Sequence, residues 1–355
     1  MKILFTAPRS KDTVLGTIGL YCEDALRGLG CELEVFDFRR SRYLNSGIGP
    51  VVKKTIKRFF PASTRQSGLV GLLERERMNK ELLLAVERFR PDVLFVLMGD
   101  SITPGTLRRV RQMGIVTVNW FHDSVLAPIR KPFVEEVSPF YDYFFMIDSE
   151  DVLNHVKIGA RQVCTVPLGC APWCHRRVVL TESEKKEYGS EVSFVGTVKF
   201  GRAEVLKSLS GLGLGIWGYW LEKIPELKGC YRRQHVFGEE AVKVYNASKI
   251  VIDIHEKYAS GEEYFNVTPR VFEVPASGAL LLVNENPLLA SLYKPGEEIV
   301  CYKDAAELRE KVKYYLARPA EREAIAEKGR LRALRDHTYE QRLKEILSVV
   351  KGKKP

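Results

Sequence analysis

Short apolar runs, each followed by a polar turn and an amphipathic stretch, recur along this 355-residue chain, and that alternation constrains its fold more than any other feature. Residues 2–6, 32–38, 93–98, 115–121 and 143–147 read as strands, with helical patterns at 20–29, 82–89 and 104–112 between them. Parallel β-α-β units account for this order, because two parallel strands need a crossover that a helix supplies. A second series places strands at 193–196, 215–218, 249–254 and 279–283, with helices at 203–209, 239–246 and 269–276. Helices interrupted near Pro319 fill residues 305–350. The expected fold class is therefore α/β, with two Rossmann-like doubly wound domains facing a central cleft, and the length is sufficient for two cores. The stretch 167–175 and the charged run 182–187 mark the linker. This gives domains at 1–168 and 169–335, then a terminal helix and basic tail at 336–355. Ligands bind such sheets at the carboxyl ends of the strands, a geometry that suits joining two substrates.

Composition removes several alternatives. Hydrophobic residues at 45% and charged residues at 28% are those of a globular protein, which excludes a collagenous repeat or a disulfide scaffold. No apolar run is long enough for a signal peptide or a membrane span, and the seven cysteines include no C-x-x-C pair, so reduced thiols in a cytoplasm are expected. The net charge of +10 is concentrated. Between Asp37 and Glu74 there is no acid, while Arg39, Arg40, Arg42, Lys53, Lys54, Lys57, Arg58 and Arg65 are all basic. Val51, Val52, Ile56, Phe59 and Phe60 are interspersed, so a short helix here would set an apolar edge beside a cationic face. A solvated basic loop and contact with an anionic membrane surface both remain open; no nucleic-acid motif accompanies the charge. Cys170, Cys174 and His175 lack a fourth ligand at a recognisable spacing, so no metal site is expected.

Residues 266–278, Asn-Val-Thr-Pro-Arg-Val-Phe-Glu-Val-Pro-Ala-Ser-Gly, carry the most chemistry. Thr268 suits an N-cap, Pro269 a first helical position, and Arg270 can add a guanidinium fork to an anion held at the helix start. Glu273 lies one turn on, on the same face, where a carboxylate can accept hydrogen bonds from ribose hydroxyls. An Arg270–Glu273 ion pair beside a capped helix end is the plainer alternative.

This segment, with Gly278-Ala279-Leu280-Leu281-Leu282, resembles the donor-domain signature of GT-B glycosyltransferases of the CgeB-type spore maturation family. The resemblance continues through Ser193-Phe194-Val195-Gly196-Thr197 with Gly201-Arg202, Ile216-Trp217-Gly218-Tyr219, Tyr245 to Ile250, Pro295 to Val300, and His337-Thr338-Tyr339-Glu340 with Arg342. In the first half, Pro91-Asp92, Trp120-Phe121-His122-Asp123 and Ile147-Asp148-Ser149 resemble it too. It implies a metal-independent transferase with a nucleotide-sugar as co-substrate and no tightly bound cofactor. The donor would lie on the second lobe and a glycan, protein or lipid-linked acceptor on the first.

By the same resemblance, Glu273 matches the second glutamate of the paired motif in retaining relatives, but Phe265 stands where the first would be. That departure leaves the stereochemistry open, and keeps a second function open: a nucleotide-sugar or glycan-binding protein without turnover. Gly196, Thr197, Lys199, Arg202, Asn266, Thr268, Arg270 and Glu273 are the implied donor contacts, with Lys199 and Arg202 neutralising the diphosphate. His122 and Asp123 follow a strand and are candidates to orient or deprotonate an acceptor hydroxyl, with a satisfied loop pair as the alternative. Gly16 and Gly19 are read in the first strand-to-helix loop, where backbone can approach a ligand or simply turn.

Overall fold

A computed structural model describes residues 1–38, 69–198, 200–219, 224–234, 236–255 and 267–352. The chain divides into two compact units, one of Met1–Ser10, Leu15–Val166 and Ile346–Pro355, the other of Lys11–Val14 and Pro167–Glu345. In the first, β1 (Lys2–Thr6), β2 (Glu32–Phe36), β3 (Val93–Leu97), β4 (Val116–Phe121), β5 (Tyr143–Met146) and β6 (Gln162–Thr165) form one sheet. Its order is β2-β1-β3-β4-β5-β6, and every pairing is parallel. Helices α1 (Val14–Gly28), α2 (Leu69–Phe89), α3 (Pro104–Gln112) and α4 (Lys131–Val137) accompany it. The central strand β3 is buried at all positions, which is why Val-Leu-Phe-Val-Leu is a continuous apolar run rather than an alternating one. Strand order reverses between β1 and β3.

The second unit holds β7 (Ser190–Val195), β8 (Leu214–Trp217), β9 (Tyr231–Arg233), β10 (Ser248–Asp253), β11 (Leu280–Asn284) and β12 (Val300–Tyr302). They lie in the order β12-β11-β10-β7-β8-β9, again all parallel. From the other edge this is third, second, first, fourth, fifth, sixth: the Rossmann order, with its switch point between β7 and β10. The helices are α5 (Glu182–Tyr188), α6 (Phe200–Lys207), α7 (Gly238–Asn246), α8 (Arg270–Ala276), α9 (Leu289–Leu292), α10 (Ala305–Leu316) and α11 (Pro319–Asp336), with α12 (Tyr339–Val350) belonging to this unit through Glu345 and to the first from Ile346. Ile250, Ile252, Leu280 and Leu282 pack with Leu308, Val312 and Ile325 in the core of this unit.

The two doubly wound halves read from the alternation are these two sheets. Three strands went unread, β6, β9 and β12, because each is short and two carry polar residues at the sheet edge. The charged run read with the linker forms helix α5, held by a capping box in which Thr181 and Glu184 each accept the other's backbone N–H. Gly16 and Gly19 do not lie in a loop: both are buried within α1. A Cβ on Gly19 would come within 2.3 Å of the Pro8 carbonyl oxygen, so this glycine lets the helix pack on the chain that leaves β1. Gly278 closes α8 as expected; with φ of 80° it donates to the Pro275 carbonyl, and Ala279 donates to that of Val274. Among the described residues, no helix is long and apolar enough to cross a membrane.

Candidate active site

The carboxyl ends of β7 and β10 gather the strongest charges in the second unit. Asp253 ends β10 with no exposed surface, and three side chains converge on its carboxylate. Thr268 Oγ1 donates to Oδ2 at 2.6 Å, Arg270 Nε donates to Oδ1 at 2.8 Å, and Arg270 Nη2 lies 2.7 Å from the same oxygen. His255 Nε2 is 3.2 Å from Oδ2. Burial alone would raise the Asp253 carboxyl, but the Arg270 guanidinium, His255 and the Thr268 hydroxyl outweigh it and hold the group well below the usual carboxylate range. The Thr268 side chain therefore braces this pair rather than capping α8, while Pro269 is helical in backbone conformation, as its position implied. Arg270 pairs with Asp253, a partner missed in the sequence, rather than with Glu273.

Glu273 faces a different set. Tyr245 on α7 hydrogen-bonds to its carboxyl, and His175 Nε2 lies 3.7 Å from Oε1. Burial pushes this carboxyl up to about 7 despite the opposing pull of Arg270 and Tyr245. A carboxyl poised there changes charge in response to small changes of surroundings, as functional acids do.

Arg202, in α6, ties the two strand ends together: Nε donates to the Ile254 carbonyl and Nη1 to that of Thr197, both at 3.0 Å. The guanidinium carbons of Arg202 and Arg270 lie 5.9 and 5.7 Å from the Phe194 ring centroid. Gly196 keeps the strand end close to Arg270, since a Cβ there would lie 3.3 Å from Nη1. Gly196, Thr197, Arg202, Thr268, Arg270 and Glu273 thus share one end of one sheet. Lys199, Asn266 and the basic residues from Arg39 to Arg65 lie outside the described residues.

In the first unit, His122 and Asp123 follow β4, as read from the sequence. The His122 ring packs edge-on to Trp120, with centroids 4.3 Å apart, and both its nitrogens are buried without a hydrogen-bond partner. Burial lowers its pKa to about 3, so the ring is neutral and can accept a proton. Asp123 is held by Arg130, whose Nε donates to Oδ2 at 2.9 Å and whose Nη1 donates to Asp100 Oδ2 at 2.5 Å. Asp100 projects from the turn after β3, where Met98 (φ 66°) and Gly99 (φ 85°) are both left-handed. A methionine there is strained backbone of the kind found at functional turns. Asp100, Arg130 and Asp253 were not read from the sequence as site residues; His175 was weighed there only as a metal ligand, and Tyr245 only as part of the resembling stretch from Tyr245 to Ile250. For Asp253 there was a signal, an acid ending an otherwise apolar strand.

Among the described residues, no group of three or more His, Cys, Asp or Glu side chains could hold a metal ion. His175 Nδ1 accepts the Ala171 N–H at 2.9 Å, and the Cys170 thiol lies 3.7 Å from the Ala333 carbonyl oxygen.

Comparison with known proteins bears on the fold and on the second unit. Residues 202–348 match the family described as glycosyl transferase-like. The spore protein CgeB of Bacillus subtilis (strain 168) is 23% identical over 271 residues, covering 71% of this chain and 80% of CgeB. Sucrose-phosphate synthase from Thermosynechococcus elongatus superposes with a TM-score of 0.68 at 14% identity, covering 99% of this chain and 98% of that one. Anabaena Alr3699/HepE in complex with UDP-glucose gives 0.63 at 10% identity, covering 99% and 100%. The likeness to solved structures shows the fold, and the matched family lies on the unit that carries Arg202, Arg270 and Glu273. The chain has the GT-B fold, its residues 202–348 match a glycosyl transferase-like family, and it is similar to CgeB over most of its length.

Proposed function

We propose that this protein transfers a sugar from a nucleotide-sugar donor to a hydroxyl of a cell-surface, spore-coat or lipid-linked acceptor. The observation that carries the reading is the gathering of Gly196, Thr197, Arg202, Thr268, Arg270 and Glu273 at the switch point of the matched unit. Arg202 and Arg270 supply fixed positive charge where a leaving diphosphate becomes more negative, and Glu273 accepts ribose hydroxyls. Lys199 and Asn266 are assigned to the same donor subsite from the sequence alone. The first unit offers His122, uncharged, and Asp123, fixed by Arg130, as the groups that act on or orient the acceptor hydroxyl. Solved relatives of this fold include a protein in complex with UDP-glucose, which supports a nucleoside diphosphate donor.

The acid-free segment from Arg39 to Arg65 supports a cytoplasmic protein docked on the inner face of an anionic membrane. Vesicle sedimentation tests this: replacing Lys53, Lys54, Lys57 and Arg58 by Gln should abolish pelleting with anionic lipids, and equal pelleting with neutral lipids sinks the idea. Release of nucleoside diphosphate, measured over a panel of nucleotide sugars with and without polyol acceptors, tests the reaction itself. Phe265 in place of a glutamate supports one other reading, a binding protein without turnover. Tight nucleotide-sugar binding with no diphosphate release for any donor is the outcome that favours it.

A further inference from the structure

The segment that opens the second unit is fastened with unusual thoroughness, and it carries His175. Cys170 N–H donates to the His337 carbonyl at 2.8 Å and Tyr339 N–H to the Cys170 carbonyl at 2.9 Å, one rung of parallel pairing. Arg342, buried, donates through Nε to the Leu168 carbonyl at 3.1 Å, and its Nη2 lies 2.8 Å from His337 Nδ1. His337 Nε2 lies 2.7 Å from the Leu292 carbonyl oxygen. Gly169 has no room for a side chain, since a Cβ would stand 2.8 Å from the His337 carbonyl oxygen. The His337-to-Arg342 motif singled out in the sequence is thus a latch on residues 168–170. Beyond the latch, the Ala171 N–H donates to His175 Nδ1, which places the proton of the neutral ring on Nε2. That nitrogen faces Glu273.

We propose that His175 and Tyr245 are positioning residues that hold the Glu273 carboxyl in its orientation and in its ionised form, through the imidazole Nε2–H and the phenol O–H. The assignment rests on the reading of Glu273 as the donor-contacting acid. Tyr245 hydrogen-bonds to the carboxyl, and the His175 Nε2–H faces it from 3.7 Å, an electrostatic contact rather than a hydrogen bond; His175 is 1% exposed and Tyr245 2% exposed. Burial keeps the His175 ring neutral, with its pKa lowered to about 3, so it acts as a donor and not as a countercharge. The groups that act on Glu273 are His175 and Cys170 from the latched segment, Tyr245 from α7, Asp253 from β10 and Arg270 from its own helix; Cys174 acts on Tyr245. Cys170 and Tyr245 are both held protonated by burial, and Arg270 and the Tyr245 hydroxyl oppose the burial that favours the neutral acid of Glu273.

The experiment is a 13C-carboxyl NMR titration of the full chain labelled in glutamate, with Glu273 assigned by Glu273→Gln. Wild type should show this carboxyl titrating far above the other glutamates. Tyr245→Phe, which keeps the ring volume, and His175→Leu should each move it up further, by about one pH unit. A Glu273 titration unmoved in a folded Tyr245→Phe protein overturns the proposal, as does ordinary titration in wild type. UDP affinity across the same pH range is the second reading. If the carboxyl moves as expected while UDP affinity ignores both the shift and Glu273→Gln, the positioning stands and the ribose assignment fails.

Discussion

The two sheets place their candidate groups at equivalent ends, yet the groups are prepared in opposite ways. In the second unit the strand ends carry charge that is already paired: Asp253 with Arg270, and Glu273 with Tyr245 and His175 nearby. In the first, the His122 ring is neutral, and its buried nitrogens have no hydrogen-bond partner, while Asp123 is half-exposed on Arg130. The contrast fits two ligands of different charge. A diphosphate needs cations whose positions are fixed before it arrives, which a buried ion pair provides at the cost of desolvation. A hydroxyl acceptor carries no charge to match, and burial without a countercharge keeps the His122 ring neutral beside it, at a cost in basicity.

The largest expected effect breaks the comparison on the first-unit side. His122→Ala should lower transfer by about 100- to 10,000-fold, the usual contribution of a general base, while nucleotide affinity measured by calorimetry stays unchanged. Loss of nucleotide affinity in this variant would contradict the division between the units. The same residue has a signature in stability. Its folded pKa, about 3, lies below the unfolded value near 6.5, so the stability linked to its neutral form is complete above about pH 6.5 and is lost as pH falls toward 3. His122→Phe should remove that part of the acid sensitivity in chemical denaturation.

On the second-unit side, Asp253→Asn leaves the Arg270 guanidinium buried without its anion and should cost about 3–5 kcal/mol of folding stability, read in urea denaturation. Because the folded carboxyl is depressed below its unfolded value near 3.9, its contribution is present above about pH 4 and is lost as pH falls further. A loss under 1 kcal/mol would show that the pair is not the organising element proposed. Arg270→Ala exposes the same dependence from the other partner, so it unfolds as well as impairs. Arg202, which donates to backbone carbonyls, is the better site for separating turnover from folding.

How much of this the sequence disclosed follows from what kind of signal each feature leaves. The continuous apolar run of β3 and the Pro269-to-Gly278 helix are local patterns, so they could be read in place. Glu273 and Arg270 were legible as chemistry because they sit in one motif, but their partners were not. Asp253 is 17 residues from Arg270, and His175 is 98 from Glu273; only the parallel pairing of β10 with β7 and β11 and the latch on residues 168–170 bring them together. The spacing of Arg270 and Glu273 favoured an ion pair within one helix, and a longer-range carboxylate won because Asp253 is fully buried and needs a cation. Gly16 and Gly19 were misplaced for a related reason. Glycine usually marks a loop, whereas here it relieves close packing of α1 against Pro8.

A smaller effect sharpens the donor assignment. Glu273→Gln keeps the shape of the side chain and removes its charge, so nucleotide-sugar affinity should fall by about 1.5–3 kcal/mol, the range for hydrogen bonds to a charged group. Wild-type affinity should itself decline as pH drops through about 7, where the carboxyl gains its proton, and the Gln variant should lack that decline. An unchanged affinity in calorimetry removes Glu273 from the donor site.

The smallest effect calibrates the others. Thr181→Ala removes one half of the capping box on α5, where Thr181 Oγ1 accepts the Glu184 N–H and Glu184 Oε2 accepts the Thr181 N–H. The loss of an N-cap typically costs about 1 kcal/mol. This helix belongs to the same unit as the donor candidates but contributes none of them, so the variant lowers the stability of the unit without altering Asp253, Arg270 or Glu273. Nucleotide affinity should therefore remain that of wild type while the urea midpoint falls. If affinity falls together with stability here, then a loss of binding in Glu273→Gln can no longer be assigned to the carboxylate, because any weakening of the second unit would produce it.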